Sequence, residues 1–136
     1  MLLKDFEKIE SSYIDFKINL EIDKPKSWLK TISAFANSDG GVILFGIDDK
    51  TRKPKDLEDI SKVADKVTQL INTKIEPIPR YELKSFVDDN KDFLVVEVGD
   101  GPKTPYYVNE KNRTAYIRKG NESKEATKNM LVNIMI

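Results

Sequence analysis

The 136-residue chain contains neither cysteine nor histidine. Without cysteine there is no disulfide framework and no thiolate metal site. Without histidine there is no Ser-His triad, no imidazole base and no imidazole ligand. Acid–base work would fall to carboxylates, lysine or tyrosine, and any metal would be a hard, oxygen-bound cation such as magnesium or manganese. No apolar run approaches the roughly 18 residues of a membrane helix. The opening MLLKDFEKIE lacks the apolar stretch and cleavage site of a secretion signal. A cytoplasmic protein with no membrane partner is expected.

Net charge is absent too, with 23 basic and 23 acidic residues. The signs are unevenly placed. Residues 1–100 carry 16 Lys/Arg against 20 Asp/Glu, and residues 101–136 carry 7 against 3. The basic C-terminal stretch is the one charge asymmetry that points towards nucleic acid. Apolar residues make up 39% and charged residues 34%, the balance of a single globular domain with its own core.

Periodicity predicts the elements. YIDFKINL (13–20) alternates as a half-buried strand. Trp28, Leu29, Ile32, Phe35 and Ala36 recur at helical spacing, so 25–38 reads as an amphipathic helix that opens on Pro25. Asn37-Ser38-Asp39-Gly40-Gly41 ends it, and VILFGI (42–47) follows as a buried strand. A charged loop, 48–57, leads to a helix capped by Asp56, with Leu57, Ile60, Val63, Ala64, Val67, Leu70 and Ile71 on its apolar face. EPIPR (76–80) stops that helix. Residues 81–87 and 93–98 read as a hairpin, 105–108 and 113–119 as two further strands, and a last helix is expected to begin near Glu122. The order β-α-β-α-β-β-β-β-α indicates an α+β domain: a mixed β-sheet of about six strands, two main helices and a C-terminal helix.

Three features are candidates for chemistry. The Gly40-Gly41 pair is not a phosphate-binding P-loop, because the order is helix, GG, strand and no Lys-Ser/Thr pair follows. Glu10, Asp15, Asp48 and Asp49 are either converging metal ligands or solvated and capping carboxylates. Glu10 and Asp15 meet only if a turn intervenes at Ser11-Ser12. In the C-terminal stretch, Thr114, Tyr116 and Arg118 share one strand face. Arginine beside an exposed aromatic suits phosphate contact and base stacking. A charged edge strand that discourages aggregation looks similar. The terminal KNMLVNIMI, with the residues just before it, places Ala126, Met130 and Ile134 on one helical line, a band expected to pack on this sheet, on another copy in a homo-oligomer, or on a missing C-terminal domain.

Three blocks together make the chain recognisable: ESSYIDFK (10–17), AFANSDGGVILFGIDD (34–49) and AYIRKGNESKEA (115–126). They resemble the Schlafen-type, Alba-like DNA-binding domain family, once grouped with divergent AAA-type ATPases. The resemblance covers residues 10–126, nearly the whole chain. It implies that residues 1–136 are one nucleic-acid-binding module, the N-terminal part of a longer bacterial transcriptional regulator. It reads Arg118 and Gly120 as part of a ligand surface, to which we add Lys119, Tyr116, Arg113 and the loop cations Arg52, Lys53 and Lys55.

Some animal Schlafen relatives use the module as a metal-dependent ribonuclease on structured RNA such as tRNA. Their three acidic residues fall on Glu10, Asp15 and Asp49, so those would be the catalytic and metal-binding residues, with magnesium or manganese as cofactor. The middle one is normally glutamate, and aspartate shortens that arm by about 1.5 Å. The nuclease therefore ranks behind the binding module, and a ligand-free oligomerisation platform is third. The binding reading expects Arg118→Glu to weaken nucleic-acid binding without disturbing the fold.

Overall fold

The computed structural model describes residues 3–102 and 105–135. Its first sheet is built around a β-α-β unit. Strand β1 (Ile14–Lys17) runs parallel to β2 (Gly41–Phe45), and helix α2 (Lys26–Ala36) joins them. Strands β5 (Lys91–Val98) and β4 (Tyr81–Asp88) continue the sheet antiparallel, in the order β1-β2-β5-β4. A second, antiparallel sheet runs β3 (Ile75–Glu76), β6 (Tyr107–Asn109), β7 (Arg113–Lys119) and β8 (Glu122–Glu125). Helix α3 (Ile60–Lys74) leads into β3, and the short α1 (Leu3–Phe6) and α4 (Lys128–Met135) lie near the ends. The α+β class with mixed β-structure is as expected, but the described residues form eight strands divided between two sheets.

Both faces of the first sheet are covered, and the period-two alternation of its central strands sorts their side chains. Ile43 and Phe45 of β2 with Leu94, Val96 and Val98 of β5 join α2 and α3 in the main core. Leu44, Phe93 and Val95 point the other way, onto Leu3, Phe6, Ile14 and Phe16. Trp28 of α2 meets Phe45 edge to face at 5.5 Å. Helix α2 therefore lies between the sheets, and eight of its eleven residues are buried.

Burying α2 requires partners for its polar side chains. Ser33 Oγ donates to the Tyr106 carbonyl (2.8 Å) and accepts from Tyr116 N (3.2 Å). Asn37 Nδ2 donates to the carbonyls of Tyr106 and Tyr116 (3.0 and 2.9 Å), and Asn37 Oδ1 accepts from Tyr106 N (2.7 Å). Asn37 thus fastens the second sheet to the helix, beyond the turn role its sequence context suggested.

The glycine pair is a close-packed helix-to-strand turn. Gly40 has φ +79°, and a Cβ there would lie 2.7 Å from the Val98 carbonyl oxygen. A Cβ on Gly41 would lie 2.6 Å from the Phe35 ring.

Other boundaries moved for identifiable reasons. β1 ends at Lys17, whose carbonyl accepts from both Gly46 N and Ile47 N, so Ile18 falls outside the strand and is exposed. Asp59 rather than Asp56 caps α3, accepting from Lys62 N at 3.4 Å, while Asp56 accepts from Asp92 N at 2.8 Å. The β4–β5 hairpin turns through Asp89-Asn90 alone, both at positive φ. The helix expected from Glu122 is instead β8, paired with β7 from Lys119 opposite Glu122, and helix begins only at Lys128. No side chain of α4 is buried, and Val132 and Met135 are exposed.

Candidate nucleic-acid interface

The residues singled out in the sequence do not form one surface. Tyr116 is buried at 4% exposure, so its ring presents no face for a base to stack on. Arg118, two positions further along β7, turns inward. Its Nη2 donates to the carbonyls of Ser11 (3.1 Å) and Ile14 (2.9 Å), and its Nη1 donates to Ser123 Oγ (3.1 Å). The guanidinium carbon lies 4.9 Å from the centre of the Phe35 ring. Burial pushes the guanidinium below its usual pKa, and the nearby charge of Asp15 opposes that shift. Arg118 is therefore a cross-tie between β7 and the chain entering β1, which corrects its reading as a free phosphate ligand.

Arg113 is exposed, lies 4.0 Å from the centre of the Tyr107 ring, and its Nε is 4.0 Å from Glu76. Lys119 is exposed beside Gly120, which turns the hairpin at φ +61°. The loop cations lie apart from these. Arg52 stands 4.0 Å over the Phe16 ring, pairs with Asp49 at 3.6 Å and donates from Nε to the Asp49 carbonyl at 2.7 Å. Arg52 and Lys53 line a cleft with Lys4 and Lys91, but Glu7, Asp88 and Asp89 line it as well. Lys55 is exposed nearby.

The three acidic residues are not assembled. Glu10 is exposed just before a single 3₁₀ turn, Ser11–Tyr13. Asp49 is exposed and held by Arg52. Asp15 is half-buried on β1, where it accepts from Thr31 Oγ1 (3.4 Å) and pairs with Lys17 (3.6 Å). Among the described residues no group of three acidic side chains is placed to hold a metal ion. The donor set expected for magnesium or manganese thus does not fit this arrangement. Asp48 closes a local turn, in which its Oδ1 accepts from Lys50 N (2.8 Å) and Thr51 N (3.2 Å). Those two amides hold its carboxyl below the usual aspartate range.

What the fold does bring together is a polar cleft of about 250 Å³ between β1, α2 and the β7–β8 hairpin. Lys17, Lys30, Arg118 and Lys124 line it, with Asp15 and Glu122 as the opposing charges. Its floor is a continuous hydrogen-bonded chain. Arg118 Nη1 donates to Ser123 Oγ, Ser123 and Thr31 share a bond of 3.0 Å, and Thr31 donates to Asp15. Half-buried Arg118 and Asp15 thus hold the floor, while the lysines stand at the walls and rim. Lys17, Lys30 and Lys124 were missed in the sequence; the available signal, for Lys30 alone, was a lysine one helical turn after Lys26 on α2.

A domain of this architecture, with a lysine-lined cleft closed by a β-hairpin, is suited to holding a polyanion. The chain belongs to the Schlafen, AlbA_2 family, whose model matches residues 10–127. It is 29% identical over 127 residues to the uncharacterized ATP-binding protein UU034 of Ureaplasma parvum serovar 3, a match covering 85% of this chain and 34% of that protein. The chain therefore spans about a third of that relative. Among solved structures it is similar to the N-terminal domain of a RecG-related protein from Nitrosomonas europaea, named for a proposed ATP-dependent DNA helicase. The TM-score is 0.68 at 26% identity, over 93% of this chain and 87% of that one. The DIP2311 protein of Corynebacterium diphtheriae shares the fold at 17% identity, with a TM-score of 0.63 over 85% of this chain and 25% of that one. No helix among the described residues is long and apolar enough to cross a membrane.

Proposed function

We propose that this chain is a nucleic-acid-binding module, with DNA as its ligand, serving a bacterial transcriptional regulator. The observation that carries the reading is the convergence of Lys17, Lys30 and Lys124 on one cleft whose floor is set by Arg118. Family membership supports it, as does the likeness to the N-terminal domain of a protein named for a DNA helicase. Lysine is suited to such a cleft because a flexible ammonium accepts phosphate from many directions. Such contacts position a strand without reading its sequence.

The test is a titration of duplex DNA, single-stranded DNA and structured RNA against wild type and Lys30→Glu at several salt concentrations. Wild-type affinity should fall steeply with salt, because each neutralised phosphate releases counterions. Lys30→Glu should weaken binding and flatten that slope by about one unit. Binding insensitive to salt, or a folded Lys30→Glu protein that binds like wild type, would refute the assignment.

A further inference from the structure

The lysine-lined cleft does not end at Lys30. Lys30 and Ser123 also wall a second, larger cleft of about 640 Å³, between the start of α2 and the turn from β6 to β7. Its other cations are Lys24, Lys26 and Lys111, set against Asp23, Glu110 and Glu125. Among the described residues, Lys24, Lys26, Lys30 and Lys111 take part in no ion pair. The two clefts are thus neighbours on either side of Lys30 and Ser123.

The outer cleft differs in chemistry. Its volume falls in the range of roughly 300–1,000 Å³ that encloses small organic ligands. Pro25, an edge of Tyr116 and the aliphatic stems of the lysines supply apolar wall. Glu110 lines this wall, and its Oε1 has no hydrogen-bond partner among the described residues; that oxygen is enclosed in the free protein, so a ligand reaches it only when the side chain turns out into the cleft. A carboxylate oxygen only accepts, so it opposes a phosphate but suits the amino group of a base. A base paired and stacked in a duplex is unavailable to such a cleft, whereas an unstacked one can enter it.

We infer that the outer cleft receives an unstacked, amino-bearing base of a single-stranded nucleic acid whose sugar–phosphate chain crosses Lys30 into the inner cleft. This rests on the nucleic-acid reading above and goes further in naming the strandedness of the ligand and a second subsite.

The experiment is fluorescence anisotropy with labelled 12-mers of oligo-dC and oligo-dT and a 12-base-pair duplex. The proteins are wild type, Lys26→Glu/Lys111→Glu, Glu110→Ala and Lys124→Glu, each checked for a wild-type melting curve. Oligo-dC should bind about fivefold or more tighter than oligo-dT and than the duplex, and Glu110→Ala should erase the difference between the two single strands. The outer double variant should lower single-strand affinity at least tenfold and flatten the salt slope by about 1.4, the value for two phosphates on a single strand. Lys124→Glu should weaken every ligand. If Lys124→Glu weakens binding but the outer double variant binds oligo-dC like wild type, the inference fails and the nucleic-acid reading stands. Equal affinity for duplex, oligo-dC and oligo-dT also overturns the inference. If none of the variants changes binding, both fall.

Discussion

Truncating Arg118 to alanine should damage the fold before it damages ligand binding. The side chain makes three hydrogen bonds, to Ser11 O, Ile14 O and Ser123 Oγ, and its guanidinium lies over Phe35. A hydrogen bond from a charged donor is worth about 1.5–3 kcal/mol when one partner is removed. Three such bonds do not sum, because the Ser11 contact is exposed and the wild-type guanidinium pays a desolvation cost on folding that alanine does not. The Ser123 hydroxyl also keeps Thr31 as a partner. A net loss of about 2–3 kcal/mol follows. For a domain of this size that lowers the melting midpoint by about 6–12 °C. Arg118→Lys keeps the charge but not the planar fork that reaches two carbonyls at once, so it should recover less than half of the loss. Differential scanning calorimetry of the three proteins, with far-UV circular dichroism, reads the effect directly. An Arg118→Ala protein melting within about 1 °C of wild type, with nucleic-acid affinity lost, would overturn this account and restore Arg118 to the ligand surface.

Two further outcomes follow from the structure. Gly41→Ala should cost about 1–3 kcal/mol in urea unfolding, because its Cβ would lie 2.6 Å from the Phe35 ring in a filled core; an unchanged midpoint would show that the ring can yield. Asp48 should titrate by NMR below an ordinary aspartate, since the Lys50 and Thr51 amides stabilise its charged form. Its contribution to folding is complete above the unfolded-state pKa and is lost as pH falls through the depressed folded-state pKa. Protection of the Lys50 and Thr51 amides, measured against their intrinsic exchange rates at each pH, should therefore fall in acid, and a normal Asp48 titration would dismiss the turn's role.

Local pattern carried most of the fold and little of the site. α2, α3, β2 and the β4–β5 hairpin were legible because each has one dominant hydrophobic period and strong end signals. β8 was not, because ESKEA has the composition of a helix. It is drawn into a strand by a tight turn at Gly120-Asn121 and by pairing with β7, so tertiary context overrides propensity. The direction of Tyr116 and Arg118 was illegible for a different reason. Alternation assigns an outside face only when a sheet has one, and β7 packs on α2 while its far end leans on the segment before β1. Ala115 and Tyr116 are therefore buried in succession. The cleft lysines escaped because they are scattered in sequence, on β1, α2 and β8, and only the closure of the hairpin over α2 brings them together.

The three recognisable blocks meet in space. Ser33 and Asn37, just before and within AFANSDGG, bind the backbone of Tyr106 and Tyr116. Ser38 Oγ of that block accepts from Arg118 N at 3.2 Å. Arg118, from the third block, reaches Ser11 and Ile14 of the first. The blocks by which the family is recognised thus clamp one another, and the residues that look most like ligands in the sequence are consumed in the clamp. The strength of the clamp follows from burial, because a guanidinium and a carboxamide enclosed among carbonyls forfeit those bonds only at the cost of orphaned polar groups. Several lysines of the proposed interface (Lys24, Lys26, Lys30 and Lys111) lie outside all three blocks. The blocks therefore determine where the cleft forms, and the lysines around it determine what the cleft can hold. On that division, a substitution within the clamp should lower stability and binding together, whereas one among those four lysines should change affinity in a protein that melts like wild type.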